Sequence, residues 1–530
     1  MESDKHFQND EERSLLGNNQ RVYRHASLTG VPSTILEPPN VYKSRWRSIR
    51  IMYLTMFLSS VSFSICMSSI WPYLQVVDPS AGSTFLGLVV AAYSLGQFLA
   101  SPIFGGWANI QKNSYVPLVV SISINIAANI LYAYIEVIPA KRSWVLLAAR
   151  FAIGFGAGNV AVVRAYVSGA TTMKERTPAM ANLSAGQAIG FIIGPGIQAA
   201  FYPIGYPGIV HIPELHIDLY TAPALFSAVL GVVNIGLILT IFSEHKVQDD
   251  DIGGGSIQYS SDTEDLLTEA DVDKPDTVAV VASNITFFVV LFVFSLFETI
   301  STPVSMDMYD WTKSQATLYN GIILACAGIL AVIVFMAIKV VTKKINERAI
   351  LLGGFIFILA GFIVYLPWGN IYPDYQLTKL VPAIMNNTNQ SSTVGPLIIN
   401  GTDVTPVGCP TSQAWCAYIP KISFAQNIVG SLCVAIGYPT CNVMSYTIYS
   451  KILGPTPQGT MMGWFTASGS LARMVGPIFI SYFYSHFGPR VSFVTVCAIV
   501  LMTILGVIVV YKRLVPFRIT RKPLRSYTTN

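Results

Sequence analysis

A chain of 530 residues could hold three or four soluble domains at about 150 residues each, but 52% of this one is hydrophobic and only 12% is charged. Soluble domains carry roughly 25% charged residues, whereas about twelve spans of roughly 20 residues would absorb an apolar excess of this size. Soluble enzyme, secreted disulfide scaffold and nucleic-acid binder are thereby excluded as primary readings, and the net charge of +5 informs only through where its charges lie.

Taken from the N-terminus, residues 1–48 read as a disordered cytosolic tail. They are polar, and no apolar stretch with a cleavage site precedes Ile49, so the first span serves as its own insertion signal. Glu11-Glu-Arg-Ser-Leu15-Leu16 in this tail has the form of an acidic dileucine signal, which clathrin-adaptor-type sorting proteins bind. Spans follow at 49–73, 83–108, 115–136, 144–168, 179–203 and 219–243, giving an N-terminal six-helix bundle over 49–243. The acidic segment 244–277 is a cytosolic linker, and Asp262-Thr-Glu-Asp-Leu266-Leu267 repeats the sorting pattern within it. A C-terminal bundle over 278–511 comprises spans at 278–303, 315–342, 349–367, 418–449, 460–485 and 489–511, with a polar loop at 368–417. Residues 512–530 form a basic cytosolic tail.

With the N-terminus in the cytosol, cytosolic segments hold 24 of the 33 Lys and Arg and the opposite side holds six. The positive-inside rule then sets both termini in the cytosol. Loop 368–417 faces the lumen or exterior on that assignment. Its sequons at Asn386, Asn389 and Asn400 are glycosylation acceptors only there. Cys409 and Cys416 lie in the same loop, in the compartment that permits a disulfide. The other five cysteines, Cys66, Cys326, Cys433, Cys441 and Cys497, sit in spans as small apolar fillers.

The two bundles show traces of duplication. Met180 to Pro195 in the fifth span and Met462 to Pro477 in the eleventh share Met, Ala, Gly and Pro positions, including Gly194-Pro195 and Gly476-Pro477. Parallel six-helix halves enclose a substrate site between them near the midplane. Gly186, Gly190 and Gly194 recur every four residues and line one helix face, so a neighbouring backbone can approach. Such a ridge serves plain packing or a rocking interface, and the sequence does not separate the two.

Arg150-Phe-Ala-Ile-Gly-Phe-Gly-Ala-Gly158 and Gly190-x-x-x-Gly194-Pro195 resemble the fourth- and fifth-helix motifs of the major facilitator superfamily. Gly105-Gly-Trp-Ala-Asn109-Ile-Gln-Lys112 occupies the place of its Gly-rich charged loop. Asn109 stands there where an Asp is usual, which puts that loop's ionic latch in question. Tyr42 to Arg50, Leu296-Phe-Glu298-Thr, Met306 to Tyr309, Glu347 to Gly354, Gln413 to Cys416 and Met444 to Pro455 are similar to a lysosomal branch of the superfamily. The resemblance implies an all-α facilitator fold of twelve transmembrane helices in two pseudo-symmetric bundles, endolysosomal residence and chloride conduction. Chloride is implied by the resemblance alone.

Charge inside a membrane is expensive and marks function by default. Arg150 and Arg164 lie 14 residues apart, roughly 21 Å and four turns of one helix, hence on a similar face. Arg473 lies near mid-depth of the eleventh span. A guanidinium facing a cavity attracts anions, and passage requires that the attraction be shared over several weak sites. These three arginines are the candidate anion pathway. Their alternative role is tethering to carboxylates or carbonyls, which suits Arg164 at its more cytosolic position. Glu298, near Pro303, and Asp307, with Asp310 at the lumenal rim, are candidates for proton coupling or pH gating; the alternative for Glu298 is an ion pair with an arginine of the other half. Glu136, His211 and His216 fall in lumenal loops as solvated groups. Neither metal-ligand spacing, a nucleophile triad nor a phosphate loop stands out, so no enzyme, metal or cofactor is expected. The expected partners are the bilayer, adaptors, and a small anion such as chloride or another small solute. The readings in competition are an anion pathway, a proton-coupled exporter of a small solute, and a non-transporting scaffold.

Overall fold

The computed structural model describes residues 38–81, 83–138, 141–206, 208, 210–212, 215–247, 275–374, 398–399, 402–403, 408–410, 413–454 and 457–517. The sorting residues Glu11, Leu15, Leu16, Asp262, Leu266 and Leu267 and the sequons Asn386, Asn389 and Asn400 lie outside the described residues.

Helices begin where the sequence supplies a cap. The first half holds α1 (Pro39–Ser64), α2 (Ile70–Val77), α3 (Ser83–Ile110), α4 (Tyr115–Ala133), α5 (Arg142–Gly156), α6 (Asn159–Gly169), α7 (Met173–Ala200) and α8 (Thr221–Ile241). The second holds α9 (Thr277–Tyr309), α10 (Lys313–Val341), α11 (Glu347–Val364), α12 (Phe424–Leu453) and α13 (Gly459–Val510). Capping boxes start α7 (Thr172 with Glu175), α10 (Thr312 with Gln315) and α12 (Ser423 with Gln426), and each meets two N–H groups the helix cannot satisfy itself. The side chain of Asp276 does the same work for α9.

Two of the expected boundaries move. α1 starts at Pro39, a residue type suited to a first helical turn, so its helix takes in the last ten residues of the expected tail. The eleventh and twelfth spans run together as α13 and meet at Gly488, whose φ of 77° marks the corner. A Cβ at Gly488 would lie 2.6 Å from the Trp415 ring, so this turn requires glycine. By length and composition, nine helical stretches among the described residues can cross a membrane. Two small antiparallel hairpins, Val210–Ile212 with Leu215–Ile217 and Ile398–Ile399 with Thr402–Asp403, lie in the connections; His211 pairs with His216 in the first.

The apolar side chains divide into an outer belt and two sets of cores. Val229, Val233, Ile322, Ile329, Met502 and Val509 are exposed around the circumference, a surface that suits hydrocarbon rather than water. Inside, the first half packs around Met52, Leu118, Val163 and Met180 and around Ile65, Tyr73 and Leu146. The second packs around Phe287, Phe355, Tyr449, Phe465 and Val500. The two halves repeat each other's helix pairing. α7 lies against α1, where a Cβ on Gly190 would stand 2.7 Å from the Phe57 carbonyl oxygen, and Gly186 and Gly194 also meet α1. α13 lies against α9 in the same way, with Gly476 on Ser295. The glycine ridge therefore packs helices within a half. Contact between halves comes instead from α3 on α13 and from α7 on α10 and α12.

Candidate transport cavity

Both termini leave the bundle at one face. Arg45 at the start of α1 pairs with Glu175 (3.0 Å), and Arg348 donates to the carbonyl of Tyr511 (2.8 Å) just past α13. Hydrogen bonds between the halves gather at this terminal face. The Asn109 amide donates to Thr460 Oγ1 (2.9 Å) and the Pro457 carbonyl (3.2 Å), and its oxygen accepts from the Gly459 N–H (2.8 Å). The loop thus forms a neutral latch where an ionic one is usual. Ser168 bonds Ser450, and donates to Gln458 Oε1 (2.6 Å). Thr177 donates to Glu347 (2.7 Å), which also pairs with Lys451 (2.5 Å), and Lys339 donates to Asn182.

Above this seal, a cavity of about 100 Å³ lies between the halves. Ser168 and Ser450 are 282 positions apart, and the same offset relates four pairs of cavity residues: Val160 with Asn442, Arg164 with Tyr446, Ser184 with Thr466, and Phe191 with Arg473. The cavity therefore sits on the pseudo-two-fold axis that relates the halves. Each half supplies it with one guanidinium and, at the position equivalent to the other half's guanidinium, one aromatic ring.

The two guanidiniums are held differently. Arg164, 1% exposed, lies 3.6 Å from the Tyr446 ring centre and donates to Gln187 Oε1 (2.8 Å) and Ser184 Oγ (3.4 Å). Arg473 is only partly buried. It donates to Gln97 Oε1 (2.9 Å), an oxygen that also accepts from Ser470 (3.0 Å). The Nε groups of Arg164 and Arg473 and the Thr466 hydroxyl, all on residues of the cavity wall, have no hydrogen-bond partner. Among the described residues, no carboxylate forms an ion pair with either cavity arginine. A buried cation kept without a counter-ion is costly, and an anion entering the cavity relieves that cost.

The three arginines expected to act together are separated. Arg150 does not line the cavity; it lies against Met67 Sδ (3.4 Å) and over the Tyr93 ring (5.2 Å), one side chain behind the wall. Arg164, expected to serve structure, is on the wall. The physical reason is a break in the helix that carries them. α5 ends at Gly156 and α6 starts at Asn159, so four turns no longer return the two arginines to one face. Glycines set this break: Gly156 packs on the α4 backbone at Asn125, and Gly158 on Ala100 and Phe104 of α3.

The acidic candidates separate too. Glu298 retains open surface although protein surrounds it, with Arg473 as the charge acting on it. Asp307 was expected near an open rim; it is buried, and accepts from the Tyr484 hydroxyl (2.8 Å), which packs edge-on against Trp415. Asp310 pairs with Lys421 (3.6 Å). Cys409 and Cys416 are joined as a disulfide around the turn that presents Trp415 to Gly488. Among the described residues, no cluster of acidic, His or Cys side chains could hold a metal. Gln97, Phe191, Tyr446 and the serine pair were not singled out by sequence; for all but Gln97, the offset between the Gly-Pro repeats was the signal that could have found them.

A model of the Major Facilitator Superfamily matches residues 52–416. The chain is 53% identical over 484 residues to Major facilitator superfamily domain-containing protein 8 of Xenopus laevis, covering 91% of this chain and 94% of that protein. It is 24% identical to Multidrug resistance protein 2 of Bacillus subtilis, over 60% of this chain and 74% of the relative. The human organic anion transporter MFSD10 (TETRAN) superposes with a TM-score of 0.61 at 16% identity, over 89% of this chain and 100% of that one. FucP in its outward conformation gives 0.57 at 12% identity, over 88% and 99%. These two structural likenesses speak to the fold alone.

Proposed function

From the premise that the chain belongs to the major facilitator superfamily, we propose that it moves small anions, chloride foremost, across an endolysosomal membrane. One observation carries the reading: Arg473 and Arg164 line a single cavity between the halves, each with an unpartnered Nε and neither in ion-pair contact with a carboxylate among the described residues. A fixed guanidinium in a low-dielectric site favours an anion. Two of them at different positions spread the attraction, so that a bound ion can leave. Arg150 acts on this site through Tyr93 rather than by contact.

Both termini are assigned to the cytosol by the distribution of Lys and Arg. The hydrogen-bonded seal is then cytosolic, and Glu298 lies on the lumenal half of its span. The acidic dileucine patterns at Glu11-Leu15-Leu16 and Asp262-Leu266-Leu267 support adaptor-mediated sorting to endosomes and lysosomes, and Asn386, Asn389 and Asn400 support glycosylation of the lumenal loop. Anion movement at that membrane sets lysosomal ion balance and pH. The second reading, a proton-coupled carrier of a small solute, draws on Glu298, an intramembrane carboxylate within the field of Arg473.

Purified protein in proteoliposomes, assayed for halide flux and for solute uptake driven by a pH gradient, tests both. Halide flux that Arg473→Ala removes supports the first reading, and unchanged flux at normal protein level overturns it. Uptake that needs the gradient, runs without current and is lost in Glu298→Gln supports the second.

A further inference from the structure

The cavity is larger and more aromatic than a bare halide requires. A site for a single water needs roughly 10–15 Å³, and the 100 Å³ present is several times that. That is room for a small organic acid; one desolvated chloride would leave much of it wet. The walls also differ from those of a simple ion site. Phe63, Tyr93, Phe191, Phe287, Tyr438 and Tyr446 all line the space beside the arginines. Some of these rings are already committed to one another. Phe287 packs against Tyr446 at 4.7 Å, and Tyr438 stacks on Phe294 at 4.3 Å. Phe63 and Phe191 meet edge-on at 5.5 Å. Phe191 stands at the position in its half that Arg473 occupies in the other, so a ring and a cation are presented to the same space across the axis.

Resting on the anion reading above, the geometry points to a more specific ligand: a small organic carboxylate with a flat, apolar body. Its carboxylate meets the guanidinium of the partly buried Arg473, and its body lies against Phe191 and Phe63. Arg164 is less available for direct contact, because Tyr446 covers its face while Gln187 and Ser184 hold its nitrogens; it supplies field. The polar atoms left on the wall suit this ligand as well. Thr466, whose hydroxyl has no partner, supplies a neutral donor for a second carboxylate oxygen. Chloride can share the cationic end, but gains nothing from the aromatic one.

The test uses full-length purified protein and three probes at matched ionic strength: chloride, acetate and benzoate. Each is titrated against thermal unfolding, and each is tested as a competitor of labelled halide or benzoate flux in proteoliposomes. Benzoate should act at a concentration tenfold or more below acetate. Phe191→Leu, which keeps an apolar side chain but removes the ring, should narrow that gap roughly 3- to 10-fold, the range that an aromatic contact contributes beyond its area. Should that variant fold poorly, the wild-type ranking decides by itself. Equal potency of benzoate and acetate, with halide flux still dependent on Arg473, overturns the organic-acid inference and leaves the anion reading standing. Absence of stabilisation or flux with all three anions overturns both.

Discussion

The terminal face and the mid-depth cavity lie on one pseudo-two-fold axis and are both polar, yet they are finished differently. At the face, the groups that join the halves find protein partners: Asn109 with Gly459 and Thr460, Ser168 with Ser450, and Thr177 with Glu347, which Lys451 also holds from its own half. In the cavity, Arg164, Arg473 and Thr466 each leave a donor unmet. Polar groups that satisfy one another hold two surfaces together, whereas polar groups left wanting describe a guest. The contrast supports the proposed reading of the face as a gate and of the cavity as a binding site, although Arg176 at the face also leaves its Nε unmet and Arg473 also bonds Gln97 across the halves.

The largest expected effect comes from freezing the gate. Replacing Ser168→Cys and Ser450→Cys places two thiols where the hydroxyls now meet. Oxidation of the double variant should abolish uptake, reductant should restore it, and neither single variant should respond. Uptake that survives verified cross-linking would mean that the halves need not part here. Next is the cavity: Arg473→Ala should lower anion uptake roughly 10- to 100-fold, as expected for losing a hydrogen bond to a charged group, with the protein still folded by thermal scan. Arg150→Ala sharpens the distinction between wall and support. It should cost about 1–2 kcal/mol of stability through the lost contact with Tyr93 and change uptake less than about 3-fold, well short of the Arg473 effect. The reverse ranking in the same flux assay would move the site to Arg150. The smallest effect belongs to Asn109→Asp, which keeps the acceptor for Gly459 but removes the donor to Pro457 and Thr460. Loss of one or two exposed hydrogen bonds of about 1 kcal/mol should shift accessibility of a cysteine introduced at the terminal face by a few-fold at most.

Much of the architecture was legible because it follows from composition and spacing. Charge poverty gave the membrane, span lengths gave the helices, and Gly194-Pro195 with Gly476-Pro477 gave the duplication. The cavity was legible only in part. Arg473 could be placed at mid-depth because its helix is continuous around it. Arg150 and Arg164 could not be placed, since counting turns assumes an unbroken helix and the break at Ala157-Gly158 depends on backbones of α3 and α4 that are distant in sequence. The burial of Asp307 was illegible for a related reason: its partner Tyr484 lies 177 residues away. The repeat offset held the missing information, but it pairs Arg164 with Tyr446 and Phe191 with Arg473, residues too unlike for similarity to flag.

That mismatch has a consequence for how such a molecule can arise. In an exact two-fold dimer, a side chain on the axis meets its own copy. Ser168 and Ser450 still do so, and a serine is content opposite a serine. An arginine is not: two like charges about 4 Å apart repel by roughly 4 kcal/mol at the screening typical near a protein surface. A pair of separate, identical subunits could therefore not have carried Arg164 where it now lies against Tyr446. Covalent fusion lets a single codon change on one side only, and the chemical lopsidedness at the centre of this protein is something a homodimer has no means to encode.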